Sequence, residues 1–388
     1  MNTFEKGQEY IMNTYSRFPL AFAHGDGMYI TDEDGKTYLD FVAGIATNCL
    51  GHAHAKLAAA VAEQAQNLIH CSNLYWTKPQ TSLAEKLIQN SCFDKVFFCN
   101  SGAEAVEALL KLARKYGGTT NRYEIITMEH SFHGRTMGAL SATGQVKYQK
   151  GFSPLVPHIK HVPFNDFDAL RAAVTRKTCA VLLEPVQGEG GIRPADVAYL
   201  QKVRRLCSDE DILLMFDEIQ CGMGRTGSLF AYQHFGVEPD AVALAKGLGG
   251  GVPIGAMLAG KKCSTTLVPG EHASTFGGNP LAAAAGNVVI DELTGGVVAN
   301  VKAMGAYLRE QLLALQTDFP CVADVRGVGL LQGIELNKPA APVVKACIDK
   351  GLLLVNAGVN VVRFVPALIV EKKHIDEMIT ILREALAS

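Results

Sequence analysis

The sequence predicts an α/β fold whose central strands are buried on both faces, and three observations carry that prediction. Several short apolar runs stop at an ionisable residue: 212–216 before Asp217, 241–245 before Lys246, and 181–183 before Glu184. Runs of about five apolar residues without alternation read as strands covered by helices on either side. The run 96–99 leads straight into a helical pattern that lasts to Gly117-Gly118, and another strand-like run, 124–127, follows. A third observation is length: 388 residues can bury a large core and form two domains, or one with an appendage. A carboxylate and an ammonium at two strand ends fit one crevice, and each is costly there unless something pairs with it. Asp217 and Lys246 therefore read either as a buried ion pair or as two groups holding a ligand between them.

Composition narrows the function classes. Charged residues are 19%, hydrophobic ones 48%, and the net charge is −2. That balance exerts no long-range pull on nucleic acid or an anionic membrane. No uncharged apolar span reaches the roughly 18 residues of a membrane helix. Residues 1–9 lack the apolar core of a signal peptide. The ten cysteines are scattered without a CxxC pair, which is cytosolic usage, so a cytoplasmic enzyme is expected.

Along the chain, 28–31 and 37–42 alternate as strands do, and Asp34-Gly35 between them is a hairpin signal. This opening piece is expected in a small α+β domain. Tyr15 and Phe18 precede it and either reach over a neighbouring site or merely pack. The pairs His52/His54 and His130/His133 lack acidic or thiol companions, so they read as structural or supporting histidines, and no metal is expected. A helix is predicted over 55–68. Ser101 followed by Glu104 is a capping-box pattern, and Gly102 and Ala103 leave the first-turn amides bare, a setting that attracts phosphate. An ordinary capped helix would look the same.

In 131–136, Phe132 can stack on a planar ring while the Arg135 guanidinium forks onto a carboxylate. Glu184 and Glu189 lie five apart among glycines, in a site loop or a solvated turn. Residues 222–227 spell GxGxxG, but Ser228-Leu229-Phe230 does not continue as a helix and no acid follows about 20 residues on, so a dinucleotide site is rejected. Glycines at 247, 249, 250, 251 and 255 let backbone approach a ligand. Ser274 and Thr275 offer hydroxyls before a helix over 281–293. A strand over 330–336, another over 360–366 and a final helix over 374–386 complete the chain. Arg363 lies alone inside its apolar strand and needs an anionic partner.

NSGAEA (100–105), SFHGRT (131–136), EPVQGEGG (184–191), DEIQ-x-G-x-GRTG (217–227), ALAKGLGGG (243–251), STFGGNP (274–280) and VVRFVP (361–366) together resemble the class III (ω-amino acid) aminotransferases. The match is collinear and spans nearly the whole chain. Within that family the chain looks most like the acetylornithine aminotransferases of arginine biosynthesis. The resemblance implies a pyridoxal-phosphate transferase of fold type I: a large domain on a mostly parallel seven-stranded sheet, and a small α+β domain from both chain ends. The implied division is 1–54, 55–295 and 296–388. It also implies a homodimer with shared active sites.

Carried over by position, the resemblance makes Lys246 the Schiff-base lysine and the base that moves the proton, and Asp217 the partner of the ring nitrogen. Gln220 contacts the ring oxygen, Phe132 and Ile219 flank the ring, and Glu184 belongs to the cofactor pocket. Ser101, Gly102 and Ala103 cradle the phosphate with Thr275 from the partner subunit. On the substrate side, Arg135 holds the distal carboxylate, Arg363 the α-carboxylate of glutamate, and Glu189 covers Arg363 while the ω-amine is bound; Ser274 and Tyr15 complete the set. Departures are small: Val106 replaces an asparagine common in the family, and Ala55 a proline. Ile45 lies where ornithine aminotransferases carry tyrosine, which favours an acylated donor. The expected reaction moves the δ-amino group of N2-acetylornithine to 2-oxoglutarate. Succinylornithine, succinyldiaminopimelate, 4-aminobutyrate or ornithine are the alternative donors, and a nicotinamide oxidoreductase is the disfavoured alternative class.

Overall fold

The structure is a computed structural model that describes residues 2–387. Its centre is a seven-stranded sheet. In chain order the strands are β1 Lys95–Cys99, β2 Glu124–Met128, β3 Ile159–Val162, β4 Thr178–Leu183, β5 Leu213–Asp217, β6 Ala241–Leu244 and β7 Gly255–Ala259. They lie side by side as β1-β7-β6-β5-β4-β2-β3. The four pairings from β6 across to β3 are parallel, and β7 alone runs against both its neighbours.

Every residue of β4, β5 and β6 is buried, which explains why these runs show no alternation. Leu214, Phe216, Val242 and Leu244 pack on one face of the sheet, while Leu213, Met215, Ala241 and Ala243 pack on the other. Parallel neighbours need crossovers: helix Val197–Asp209 carries the chain from β4 to β5, and helices Met137–Ala142 and Val146–Gln149 carry it from β2 to β3. Truncating one such side chain, Phe216→Ala for instance, removes roughly 3–5 kcal/mol.

The chain ends build a mixed sheet and an antiparallel one. Phe22–Asp26, Tyr29–Asp32 and Thr37–Asp40 form a meander, and Leu352–Leu353 joins its edge with Leu352 opposite Leu39. Val322–Val328, Leu331–Leu336, Val361–Phe364 and Val355–Ala357 form the other. Helix Pro280–Glu292 turns through a π segment, Leu293–Val297, into helix Val298–Asp318, which the sequence reading did not identify. By length and composition Pro280–Asp318 could cross a membrane. Its apolar side chains Val289, Leu308, Leu312 and Leu315 are instead buried in the core.

The GxGxxG stretch forms successive turns, and no helix opens on it. Its use is structural. Arg225 is folded inward and donates to the carbonyls of Leu330 and Pro366, and burial lowers its guanidinium to about 10.

Candidate active site

The carboxyl ends of β5 and β6 open on a cavity of about 330 Å³. Parallel strands deliver their ends side by side, so ligands gather there in open α/β sheets. Asp217 is the last residue of β5 and is 3% exposed. Lys246 follows β6 at the start of a 3₁₀ turn, half-buried, with φ at +47°. A lysine held in the left-handed region is strained, and such strain persists only where the surroundings impose it. Burial pushes the Lys246 ammonium below its ordinary value; the Glu189 carboxylate opposes this and Arg363 adds to it.

Asp217 is fixed by two bonds. Its Oδ1 accepts from the Ile219 amide at 3.0 Å, and its Oδ2 lies 2.7 Å from His133 Nδ1. His133 is buried and its Nε2 has no partner among the described residues, so the ring presents its donor to the carboxylate. His133 is thus the supporting histidine that the isolated His130/His133 pair suggested.

The wall opposite is the start of helix Gly102–Gly118. Ser101 caps it by accepting from the Glu104 amide at 3.3 Å. The reciprocal half of the expected capping box is shifted by one residue, because Glu104 Oε2 accepts from the Asn100 amide at 2.7 Å. Ser101, Gly102 and Ala103, at the start of this helix, line the cavity. A Cβ built on Gly102 would approach the Ile219 methyls to 2.9 Å, so the glycine is needed for this close packing.

Glu184 continues from β4 and is buried. It accepts from the Phe132 amide at 3.0 Å and the Gly188 amide at 3.4 Å; burial, then the Asp217 charge, raises its carboxyl well above the ordinary range. Glu189 Oε1 lies 2.6 Å from Arg363 Nη1, and Gln220 bridges the two, accepting from Arg363 at 3.1 Å and donating to Glu189 at 3.5 Å. Burial pushes the Glu189 carboxyl up, yet Arg363 outweighs it and holds the group below its ordinary value. Arg363 is 1% exposed and its Nε is unpaired among the described residues, so it retains a free donor.

The cavity therefore brings together Ser101, Gly102, Ala103, Phe132, Glu184, Glu189, Asp217, Ile219, Gln220 and Lys246, with Arg363 behind Glu189 and Gln220. Besides Arg363, four expected residues are not on its wall. Arg135 is exposed, 5.4 Å from the Phe132 ring and 4.1 Å from the Tyr148 ring, without an ion pair among the described residues. Ser274 bonds Asn100 Nδ2 at 3.1 Å, Thr275 is exposed, and Tyr15 lies in a separate groove under Arg17.

Three features had escaped the sequence reading. Thr47 and Asn100 line the cavity. Glu218 is fully buried and caps the short helix Ala231–Phe235, accepting from Ala231 at 2.5 Å and Tyr232 at 2.7 Å. Just before Thr47, four consecutive residues, Ala43 to Ala46, have positive φ of 49°, 63°, 60° and 61°, a single left-handed turn. Asp40 Oδ1 holds it by accepting from Val42 and Ala43, and His52 braces Asp40 at 2.8 Å. An acid four residues before a glycine was the only signal for it.

A buried amine, a carboxylate at the facing strand end and a bare helix start suit a planar cofactor with an electrophilic carbon and an anionic tail. Among the described residues no cluster of three His, Cys, Asp or Glu could hold a metal. The family described as aminotransferase class-III matches residues 10–386. Acetylornithine aminotransferase of Gloeobacter violaceus is 56% identical over 98% of this chain and 96% of its own. The structure of N-acetylornithine aminotransferase from Stenotrophomonas maltophilia K279a is 39% identical with a TM-score of 0.84, covering 96% of this chain and 97% of that one. That of ornithine aminotransferase from Toxoplasma gondii ME49 is 30% identical with a TM-score of 0.95, covering 100% and 96%.

Proposed function

The chain belongs to the class-III aminotransferases, and we propose that it transfers the δ-amino group of N2-acetylornithine to 2-oxoglutarate, giving N-acetylglutamate 5-semialdehyde and glutamate. It is a pyridoxal-phosphate-dependent transaminase. The observation that carries the substrate is the 56% identity, over nearly the full chain, to a relative named for acetylornithine.

The residues fit the cofactor. Ser101, Gly102 and Ala103 would hold its phosphate, and the absent Cβ at Gly102 keeps that wall close to Ile219. Phe132 and Ile219 would flank its ring, Asp217 would face the ring nitrogen, Gln220 and Glu184 would complete the pocket, and Lys246 would carry it. Pyridoxal phosphate supplies an aldehyde that accepts the amino group and a ring that takes up electrons.

The chain's own groups do the rest. Lys246 Nζ, its charge disfavoured by burial, is available as a nucleophile and then as the base that takes the proton from the donor's amine-bearing carbon and would hand it to the cofactor's aldehyde carbon, the reverse transfer serving the second half-reaction. His133 holds Asp217 in one orientation throughout. Arg135 would receive the distal carboxylate of either substrate, and Arg363 the α-carboxylate of glutamate. Glu189 covers Arg363 when the donor has no carboxylate there, because an uncovered buried guanidinium would disfavour that donor.

Several further features belong to the same reading. The exposed apolar side chains Leu74, Tyr75, Trp76 and Phe276 suit a twofold contact with a second copy, whose Thr275 would complete the phosphate site. The sheets support the division 1–54, 55–295 and 296–388. The free cysteines suit a reducing cytoplasm.

The test is a donor panel assayed against 2-oxoglutarate. N2-acetylornithine is expected to give the highest kcat/KM; preference for 4-aminobutyrate or free ornithine would overturn the substrate.

A further inference from the structure

Glu189 is a wall of two cavities. One contains Lys246; the other, about 620 Å³, takes in Gly190, Gly191 and Arg193 of the hairpin that pairs Val186–Gln187 with Arg193–Pro194, and His130, Lys147, His161 and Arg326 among others. On the first side Glu189 pairs with Arg363, which is its one ion-pair partner among the described residues. A substrate carboxylate that takes Arg363 must displace it. The Glu189 side chain is only 22% exposed, and a carboxylate that far from water without a cation is heavily destabilised. Unless it finds another cation, that penalty falls on glutamate binding.

The second cavity offers three candidates. Arg326 is already engaged by Asp324 and Glu335. Lys147 rests over the Tyr148 ring at 4.7 Å. Arg193 donates its Nε to the Gly190 carbonyl at 3.1 Å, and its Nη groups have no partner among the described residues. It also stands at the base of the same hairpin, opposite Gln187. The backbone around Glu189 has little room to travel: a Cβ on Gly188 would meet Gln220 Oε1 at 2.0 Å, and one on Gly190 would meet the His130 carbonyl at 2.3 Å. Any change of partner is therefore a side-chain rotation.

We propose that Arg193 is the second berth of Glu189: when a substrate carboxylate occupies Arg363, Glu189 turns into the outer cavity and pairs with the Arg193 guanidinium. The proposal rests on reading Arg363 as a substrate anchor. Arg193 is then a positioning residue that eases entry of glutamate and 2-oxoglutarate and is idle while the ω-amine donor is bound.

Arg193→Gln in the holoenzyme tests it, with each half-reaction followed separately by stopped-flow absorbance and with glutarate, a non-reacting dicarboxylate, titrated calorimetrically. The glutamate half-reaction should lose about 10-fold in kcat/KM and glutarate should bind about 10-fold more weakly. The N2-acetylornithine half-reaction should stay within about 2-fold, and Arg193→Lys should restore most of the loss. In a Glu189→Ala background Arg193→Gln should do nothing further. An unchanged glutamate half-reaction, equal loss in both halves, or a loss that persists without Glu189 would overturn the berth. Glu189→Ala alone separates this from the parent reading: loss confined to the ω-amine half keeps the cover over Arg363 even if the berth fails, whereas equal loss in both halves removes the cover itself.

Discussion

The floor of the cavity and the exposed outer surface are held in different ways. On the floor, Asp217, His133, Glu184 and Gln220 are all buried, and each has a hydrogen-bond partner within this chain. On the outer surface, Trp76 is 90% exposed, Leu74 84% and Phe276 58%, and Arg135 and Thr275 are exposed too. Exposed apolar side chains of that size fit the proposed contact with a second copy. The buried groups of the floor thus hold one another within the chain, while the exposed ones have no such support.

The largest test of the contrast is at the floor. Lys246→Ala should reduce kcat more than about 10⁴-fold while the protein stays folded by circular dichroism. Asp217→Asn keeps the shape and removes the charge; a loss of about 10²–10⁴-fold in single turnover is expected. A variant within about 10-fold of wild type would mean the strand end is not where the charge is needed. On the outer surface, Trp76→Glu should leave the fold intact yet give a monomer by sedimentation, with activity that recovers on raising protein concentration. A dimer that persists would place the contact elsewhere.

The smallest effect concerns stability. Burial lifts the Glu218 carboxyl from its ordinary 4.5 to about 8. The folded chain therefore holds a proton that the unfolded chain releases between those values. The stability so gained is complete below about 4.5 and lost as pH rises through about 8. Wild type should lose up to a few kcal/mol relative to Glu218→Gln between pH 5 and 8, read from urea midpoints. Parallel curves would show that Glu218 is not protonated in the fold.

Legibility in the sequence followed locality. Asp217 and Lys246 stood out because an apolar run that stops at a charge is a local signal of a buried strand end, and Arg363 because one guanidinium interrupts such a run. The Ser101–Ala103 helix start was readable for the same reason. What stayed hidden depends on distant pairing. Leu352–Leu353 completes the N-terminal sheet against Thr37–Asp40, and nothing near either strand announces the other. Helix Val298–Asp318 places Val301, Leu308, Leu312 and Leu315 on a buried face, but it begins after Gly295-Gly296, a pair that interrupts the helical pattern of the sequence. Glu218 looked like a neighbour of Asp217, whereas its side chain turns to the opposite side and caps a helix 13 residues on.

The left-handed turn at Ala43 to Ala46 works against a preference of roughly 1–2 kcal/mol per residue, and Asp40 is what keeps it wound. Asp40 is not among the residues lining the catalytic cavity. Losing it would let the turn relax and carry Thr47 off the wall. In a random mutagenesis screen Asp40 would score as though it took part in the reaction, a false positive written by backbone handedness.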